Sequence, residues 1–178
     1  MLFVDLDDFK AVNDGMGQGG GDELIRGVAE RIQSCVRPAD TVARLGGDEF
    51  AVLPVEHIPS VGHVDSLAHR LLEVLQLPID VLGVSLAVPA SVGVSFATGD
   101  STAESLLRDA DIAMYSAKFQ GKGRVTMFDA TLRDVAVRRL TLKVELPEAL
   151  RTDQFRLAYQ PIKDVALALR LRRPGILC

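Results

Sequence analysis

Residues 41–55 read TVARLGGDEFAVLPV. Two strand-like runs, 41–45 and 50–55, are joined by Gly46-Gly47-Asp48-Glu49. A Gly-Gly start suits a tight turn, so the segment predicts a β-hairpin with two carboxylates at its tip. Upstream, Leu2–Leu6 is short, apolar and bounded by acids, which predicts a buried strand. If the hairpin lies beside that strand, Asp5 and Asp48 converge.

Working outward, residues 7–14 suit one or two helical turns, and 13–22 form a turn-rich loop carrying Gly15, Gly17, Gly19, Gly20 and Gly21. Leu24, Ile25, Val28, Ala29 and Ile32 recur at helical spacing, so a helix is expected from Glu23 to about Cys35. A second helix is expected over 59–76, and strand pieces over 79–81 and 84–96 with a hairpin or bulge near Gly83. Ser101-x-x-Glu104 is a capping-box pattern opening a helix to about Gln120. A last strand is expected over 124–128, and Thr131-x-x-Asp134 opens a basic helical stretch toward Leu150, interrupted at Pro147. Strands alternating with helices imply an α/β (α+β) sheet domain over roughly residues 1–129.

Composition bounds the function. The 178 residues are 48% hydrophobic and 25% charged, which excludes a disordered chain. No apolar run approaches the ~20 residues of a membrane span, and no secretory signal is read at Met1–Val4. Two cysteines, Cys35 and Cys178, have no paired spacing, which argues against a disulfide scaffold or zinc site and suits a cytoplasmic protein. The net charge of −4 is uneven: residues 1–129 hold 10 Lys/Arg and 19 Asp/Glu, and residues 130–178 hold 10 and 5. The break near 130 suggests a boundary. The acidic part is a poor nucleic-acid binder, but it can take a phosphorylated ligand if its carboxylates hold metal.

The carboxylates Asp5, Asp7, Asp8, Asp48 and Glu49 are the first candidate set. Two carboxylates about 4 Å apart repel by roughly 4 kcal/mol at an effective dielectric of 20. A divalent cation relieves this, and oxygen-only ligands favour Mg2+ or Mn2+. Taken alone, Asp7 and Asp8 also suit a helix start, and Asp48 a turn. Gly15-x-Gly17-x-x-Gly20 formally matches a dinucleotide fingerprint but does not directly follow a strand. A better phosphate site is Asp8-Phe9-Lys10, where a helix start presents free amides. Asn13 and Asp22 are polar groups that could read a base edge, or cap a turn and a helix. Arg37-x-x-Asp40 could clamp a base and phosphate, or form a solvated ion pair. Lys118 and Lys122 could meet phosphates or favour a helix C-terminus. His57, His63 and His69 show no ligand spacing and suit surface or packing roles.

Together these residues identify a family. Phe3-Val4-Asp5-Leu6-Asp7-Asp8-Phe9-Lys10, Val12-Asn13-Asp14, Gly21-Asp22 and Arg44-Leu45-Gly46-Gly47-Asp48-Glu49-Phe50 resemble the GGDEF family of diguanylate cyclases. Ser91-Val92-Gly93-Val94, Ala110-Asp111-Ile112-Ala113-Met114-Tyr115, Ala117-Lys118 and Gly121 continue the match in order, covering residues 1–128. The resemblance implies a nucleotidyl-cyclase-like fold, a central sheet flanked by helices. It implies condensation of two GTP into cyclic di-GMP and two pyrophosphates by an antiparallel homodimer. By resemblance, Asp5, Asp48 and the Leu6 carbonyl hold metal. Glu49 ligates metal or activates the ribose 3′-hydroxyl. Asn13 and Asp22 read guanine, and Phe9, Lys10, Lys118 and Lys122 contact phosphates. Arg37 and Asp40, five residues before the signature, match a product-feedback site to which Arg70 adds a second arginine. A catalytically silent module that binds GTP or cyclic di-GMP is the alternative.

Departures are expected too. The family's helix before the first strand is not seen ahead of Met1, and Gln18 replaces a usual histidine. Leu142-Lys143-x-Glu145-Leu146 and Phe155-Arg156-Leu157-Ala158-Tyr159-Gln160-Pro161-Ile162 resemble the linker and first strand of an EAL phosphodiesterase domain, whose signature does not follow. The expected organisation is a cyclase domain over 1–128, a helical linker over 129–150 and a truncated EAL start over 151–178.

Overall fold

Strand β1 (Leu2–Leu6) is buried along its whole length because helices cover both faces of the sheet it centres. The structure is a computed structural model that describes residues 1–55, 61–159, 162–163 and 169–170. Along the chain, β1 is followed by α1 (Phe9–Cys35), β2 (Thr41–Gly46), β3 (Glu49–Leu53), α2 (Val61–Gln76), β4 (Ile79–Val81) and β5 (Val84–Leu86). Next come β6 (Ala90–Val94), α3 (Ala103–Phe119), β7 (Val125–Met127) and α4 (Ala130–Arg151). Two short strands close the described chain, β8 (Ile162–Lys163) and β9 (Leu169–Arg170).

The five-stranded sheet has the order β2-β3-β1-β6-β7. All pairings are antiparallel except β6–β7, which is parallel. This is the expected mixed α/β architecture, a central sheet flanked by helices. Strand side chains alternate between faces. Leu2, Val4 and Leu6 therefore join the large core with Leu24, Val28 and Ile32 of α1 and Val64, Leu67 and Leu71 of α2. Phe3 points the other way, onto Ala110 and Met114 of α3.

Gly93 fixes how closely α3 approaches. A Cβ there would overlap the Ala110 carbonyl and the Met114 amide. Backbone cannot yield as a flexible side chain can, so this position must lack a side chain.

Four local expectations are corrected. The stretch 13–22 is not a loop: α1 starts at Phe9 and continues through the glycines, with one non-helical residue, Gly17, at a kink. Burial of Phe9, Gly20 and Gly21 in the core outweighs the poor helix propensity of glycine. The capping box of α3 lies one residue later than expected. Thr102 and Ser105 bond reciprocally, leaving Ser101 to hold Thr98. The start of α4 is held by Asp129, which accepts from the Thr131 and Leu132 amides, rather than by Thr131. Pro147 lies inside α4 without ending it. Both expected hairpins form: β2–β3 turns at Gly47-Asp48, and β4–β5 at Leu82-Gly83.

Chain contacts define two units, Met1–Asp134 and Val135–Cys178. Within the second, Leu142, Leu146, Ala149 and Phe155 line a groove of about 640 Å³. His57, the Gln160-Pro161 step of the EAL resemblance and Cys178 lie outside the described residues. Among the described residues, no helix is long and apolar enough to cross a membrane.

Gly93→Ala is expected to destabilise the first unit by about 3 kcal/mol or more, read as a lowered urea midpoint. A midpoint unchanged from wild type would contradict the close approach of α3.

Candidate active site

The hairpin does lie beside β1. Glu49 pairs with Asp5 across β1–β3, and the Leu6 amide donates to the Asp48 carbonyl at 3.3 Å. The bulge between Arg44 and Gly46 and the two Arg44 bonds to the Gly47 carbonyl, at 3.0 and 2.7 Å, set the shape of the turn. Asp5, Leu6, Asp48 and Glu49 thus meet at one end of adjacent strands.

Asp5 is 5% exposed, an unusual place for a carboxylate. Burial raises its pKa from 3.8 to about 6; Lys118 opposes that rise, while Asp48 and Glu49 add to it. Lys118 reaches Asp5 because α3 packs on β1 through a stripe at four-residue spacing. Ala110 and Met114 contact Phe3, and one turn further Lys118 Nζ stands 2.5 Å from Asp5 Oδ1. Lys118 is the one group at Asp5 Oδ1, which has no further hydrogen-bond donor.

A buried carboxylate that has one lysine as its partner at Oδ1 and further acids beside it suits a hard cation. Among the described residues, no three His, Cys, Asp or Glu side chains gather into a closed metal-binding group. Magnesium needs only one or two carboxylates, with water or phosphate oxygens completing its shell. The residues present therefore fit Mg2+ or Mn2+.

The other carboxylates separate by role. Asp7 is 1% exposed and accepts from Ser91 Oγ at 2.9 and 3.0 Å and from the Gly123 amide at 3.0 Å. It ties β1 to β6 and to the turn before β7, so it is a structural carboxylate. Asp8, in the left-handed region at φ 62°, precedes α1 without capping it by its side chain. It accepts instead from Lys122 Nζ at 2.7 Å. That contact raises the Lys122 pKa. Lys122 therefore reaches the start of α1, near Phe9 and Lys10. Phe9 itself is a core side chain, so only its backbone can face a phosphate, whereas Lys10 is exposed.

Asn13 and Asp22 lie on α1 on either side of the Gly17 kink. A Cβ on Gly21 would overlap Asn13 Oδ1, so this glycine is the seat on which the Asn13 amide rests, next to Asp22.

Arg37 and Asp40 form a turn after α1, some distance along the chain from these groups. Asp40 Oδ2 accepts from the Arg37 amide at 2.9 Å, and Oδ1 accepts from the Val55 amide at 3.0 Å. Asp40 thus shapes the turn and anchors it to the end of β3. A concavity of about 370 Å³ is lined by Gln33, Val36, Arg37, Pro38, Asp40 and Val42. Arg70 of α2 donates to the Cys35 carbonyl at 2.7 Å, which brings it to the same helix end.

Sequence reasoning did not anticipate the Asp5–Lys118 and Asp8–Lys122 pairs or the Asp7–Ser91 bond. The first was readable: Ala110, Met114 and Lys118 recur every fourth residue, so the lysine shares the buried face of its helix. The other two join residues 114 and 84 positions apart, for which no local signal exists.

Asp5 makes a testable trade between stability and charge. Its folded-state pKa is raised, so between pH 4 and 6 the folded chain holds a proton that the unfolded chain has lost. The stability this provides is fully present below about pH 4 and is lost as pH rises through 6. Asp5→Asn is expected to be more stable than wild type at pH 7 by about 2 kcal/mol, with the advantage gone at pH 4. Urea denaturation at both pH values measures it.

Residues 1–124 match the family described as "Diguanylate cyclase, GGDEF domain". Cyclic di-GMP phosphodiesterase NbdA of Pseudomonas aeruginosa is 40% identical over 167 residues, 93% of this chain and 21% of that protein. The bifunctional diguanylate cyclase/cyclic di-GMP phosphodiesterase MucR of the same organism is 41% identical over 162 residues, 90% of this chain and 23% of that protein. The chain thus spans between a fifth and a quarter of these relatives' length. A solved GGDEF-only fragment of TpbB (YfiN), also from Pseudomonas aeruginosa, superposes with a TM-score of 0.72 at 35% identity, covering 76% of this chain and 79% of that one. On the strength of the family match over most of its length, the chain belongs to the GGDEF family of diguanylate cyclase domains.

Proposed function

We propose that residues 1–128 act as a diguanylate cyclase, joining two GTP into cyclic di-GMP with release of two pyrophosphates. The observation that carries this reading is the intact Asp48-Glu49 hairpin tip beside buried Asp5. Each 3′-hydroxyl attacks the α-phosphorus of the opposite nucleotide. The bond from that phosphorus to the bridging oxygen breaks, and pyrophosphate leaves with its electrons. The reaction occurs twice, so two nucleotides must face one another. Each is assigned to one subunit of a homodimer.

Asp5, Asp48 and the Leu6 carbonyl are assigned to hold Mg2+ or Mn2+. Bound there, the cation would polarise the attacking hydroxyl and neutralise charge on the leaving group. Glu49 is assigned to ligate metal or take the 3′-hydroxyl proton, since a hydroxyl is a weak nucleophile at neutral pH. Asn13 and Asp22 are assigned to the guanine edge. The Phe9–Lys10 helix start, Lys118 and Lys122 are assigned to phosphates. Arg37 and Asp40, with Arg70, are assigned to feedback binding of cyclic di-GMP, in or beside the concavity at that turn. We assign residues 129–150 as a helical linker and 151–178 as the start of an EAL-type segment, and we place the chain in the cytoplasm. No phosphodiesterase activity is assigned to it.

The second reading is a silent module that binds GTP or cyclic di-GMP and regulates an attached enzyme. The similarity to NbdA, named a phosphodiesterase, supports it.

Incubation with GTP and Mg2+, followed by chromatography, separates the two. The cyclase reading expects cyclic di-GMP from wild type and a loss of at least about a hundredfold in Asp48→Ala, the scale of a lost transition-state contact. Rate per subunit should rise with protein concentration. A folded wild type that binds GTP without making product would establish the silent reading instead. For the feedback site, Arg37→Ala is expected to weaken cyclic di-GMP binding about tenfold or more in calorimetry, the scale of a charge-assisted contact. Unchanged binding would remove that assignment.

A further inference from the structure

The Lys118 ammonium stands on one oxygen of the carboxylate that a cation at Asp5 would share. Lys118 Nζ is 2.5 Å from Asp5 Oδ1, on a side chain 30% exposed, while the Asp5 side chain is 7% exposed. No other donor reaches that oxygen, so what neutralises it is the Lys118 ammonium. A divalent ion binds a carboxylate oxygen at about 2.1 Å. Two positive centres at one poorly solvated carboxylate repel, so each weakens the other's hold on it.

We infer that Lys118 is an exchangeable counterion: it competes with the metal for Asp5 and makes metal binding depend on nucleotide. The inference rests on the assignment of Asp5 as a metal ligand. Asp5 is fixed on the central strand, whereas the lysine has a flexible four-carbon stem and a partly exposed head. The lysine is therefore the group that moves. Once displaced, its charge needs a partner. Asp111, one of the charges that bear on it, lies on its own helix and is exposed. Asp48 and Glu49 face Asp5 from the hairpin and are claimed by the same cation. A triphosphate is the remaining strong acceptor. Metal alone must then expel a cation that has lost its partner, whereas metal arriving with nucleotide supplies one. Lys118 is thus a positioning and gating residue in addition to a phosphate contact. Its effect is to keep the acids neutralised until substrate arrives.

Mn2+ binding followed by the loss of its free-ion paramagnetic resonance signal tests this without catalysis. Wild type, Lys118→Met, Lys118→Gln and Asp5→Asn are titrated with Mn2+ alone. They are then titrated with 3′-deoxy-GTP present, which lacks the attacking hydroxyl, and the Mn2+ that this nucleotide takes up without protein is subtracted. Without nucleotide, both Lys118 variants are expected to bind Mn2+ about three- to tenfold more tightly than wild type, the scale of a partly buried ion pair. With 3′-deoxy-GTP the advantage should vanish or reverse, because the variants cannot hold the phosphates. Equal or weaker Mn2+ binding by both variants without nucleotide overturns the competition. Mn2+ binding that Asp5→Asn leaves unchanged, or no binding by any protein even with nucleotide, overturns the metal assignment itself. The Gln variant keeps a polar head at the pocket, so a packing defect peculiar to Met would show as a disagreement between the two and overturn the charge explanation.

Discussion

A carboxylate carried on the central strand is the constraint around which this domain is organised. Asp5 belongs to the buried run of β1, between a layer of two helices and a layer of one. Leaving water disfavours its charge, and the neighbouring acids of the hairpin disfavour it further. Only Lys118 works in the opposite direction among the groups that shift it. That lysine is available because Gly93 lets α3 lie against the sheet. A packing detail two strand positions beyond the site, at the pair Phe3–Gly93, therefore sets the electrostatics at Asp5. Core and site are not separable here: the same helix face that buries Met114 delivers the counter-charge.

Elements with a strong apolar period were legible from residues alone. β1, the β2–β3 hairpin, α2, the turn at Gly83 and α3 all follow from alternation, helical spacing or turn chemistry. The path of α1 was not legible, because its glycines signal a loop to any local reading, while the helix is held by what it packs against. Phe9, Leu24, Val28 and Ile32 anchor it to the core on both sides of the Gly17 kink. Cap positions shifted by a residue or two because Ser, Thr and Asp offer several competing local bonds at Ser101–Thr102 and Asp129–Thr131. The carboxylate set was legible as a set but not as a division of labour. Nothing local distinguishes Asp5, with an ammonium at its buried oxygen, from Asp7, satisfied by a hydroxyl and an amide.

The two long helices of the first layer are fastened at their ends by an exchange of arginines. Arg31 of α1 donates to the Val74, Leu77 and Pro78 carbonyls at the end of α2. Arg70 of α2 donates to the Cys35 carbonyl at the end of α1. Each helix terminus leaves carbonyls without intrahelical partners, and each is supplied by the other helix. The turn bearing Arg37 and Asp40 begins where this clasp ends, so its position is tied to α2 as well as to α1.

The outer strand β2 has one partner, β3, and its other backbone edge faces outward. Its residues are mostly exposed, Leu45 bulges from the ladder, and Arg44 folds back onto the Gly47 carbonyl. A bulged edge with a charged side chain across its end is a poor template for another strand. The consequence concerns association. The signature hairpin can be presented outward to a second molecule without inviting that molecule to continue the sheet. A contact made there would be through side chains rather than through a continued ladder of backbone bonds.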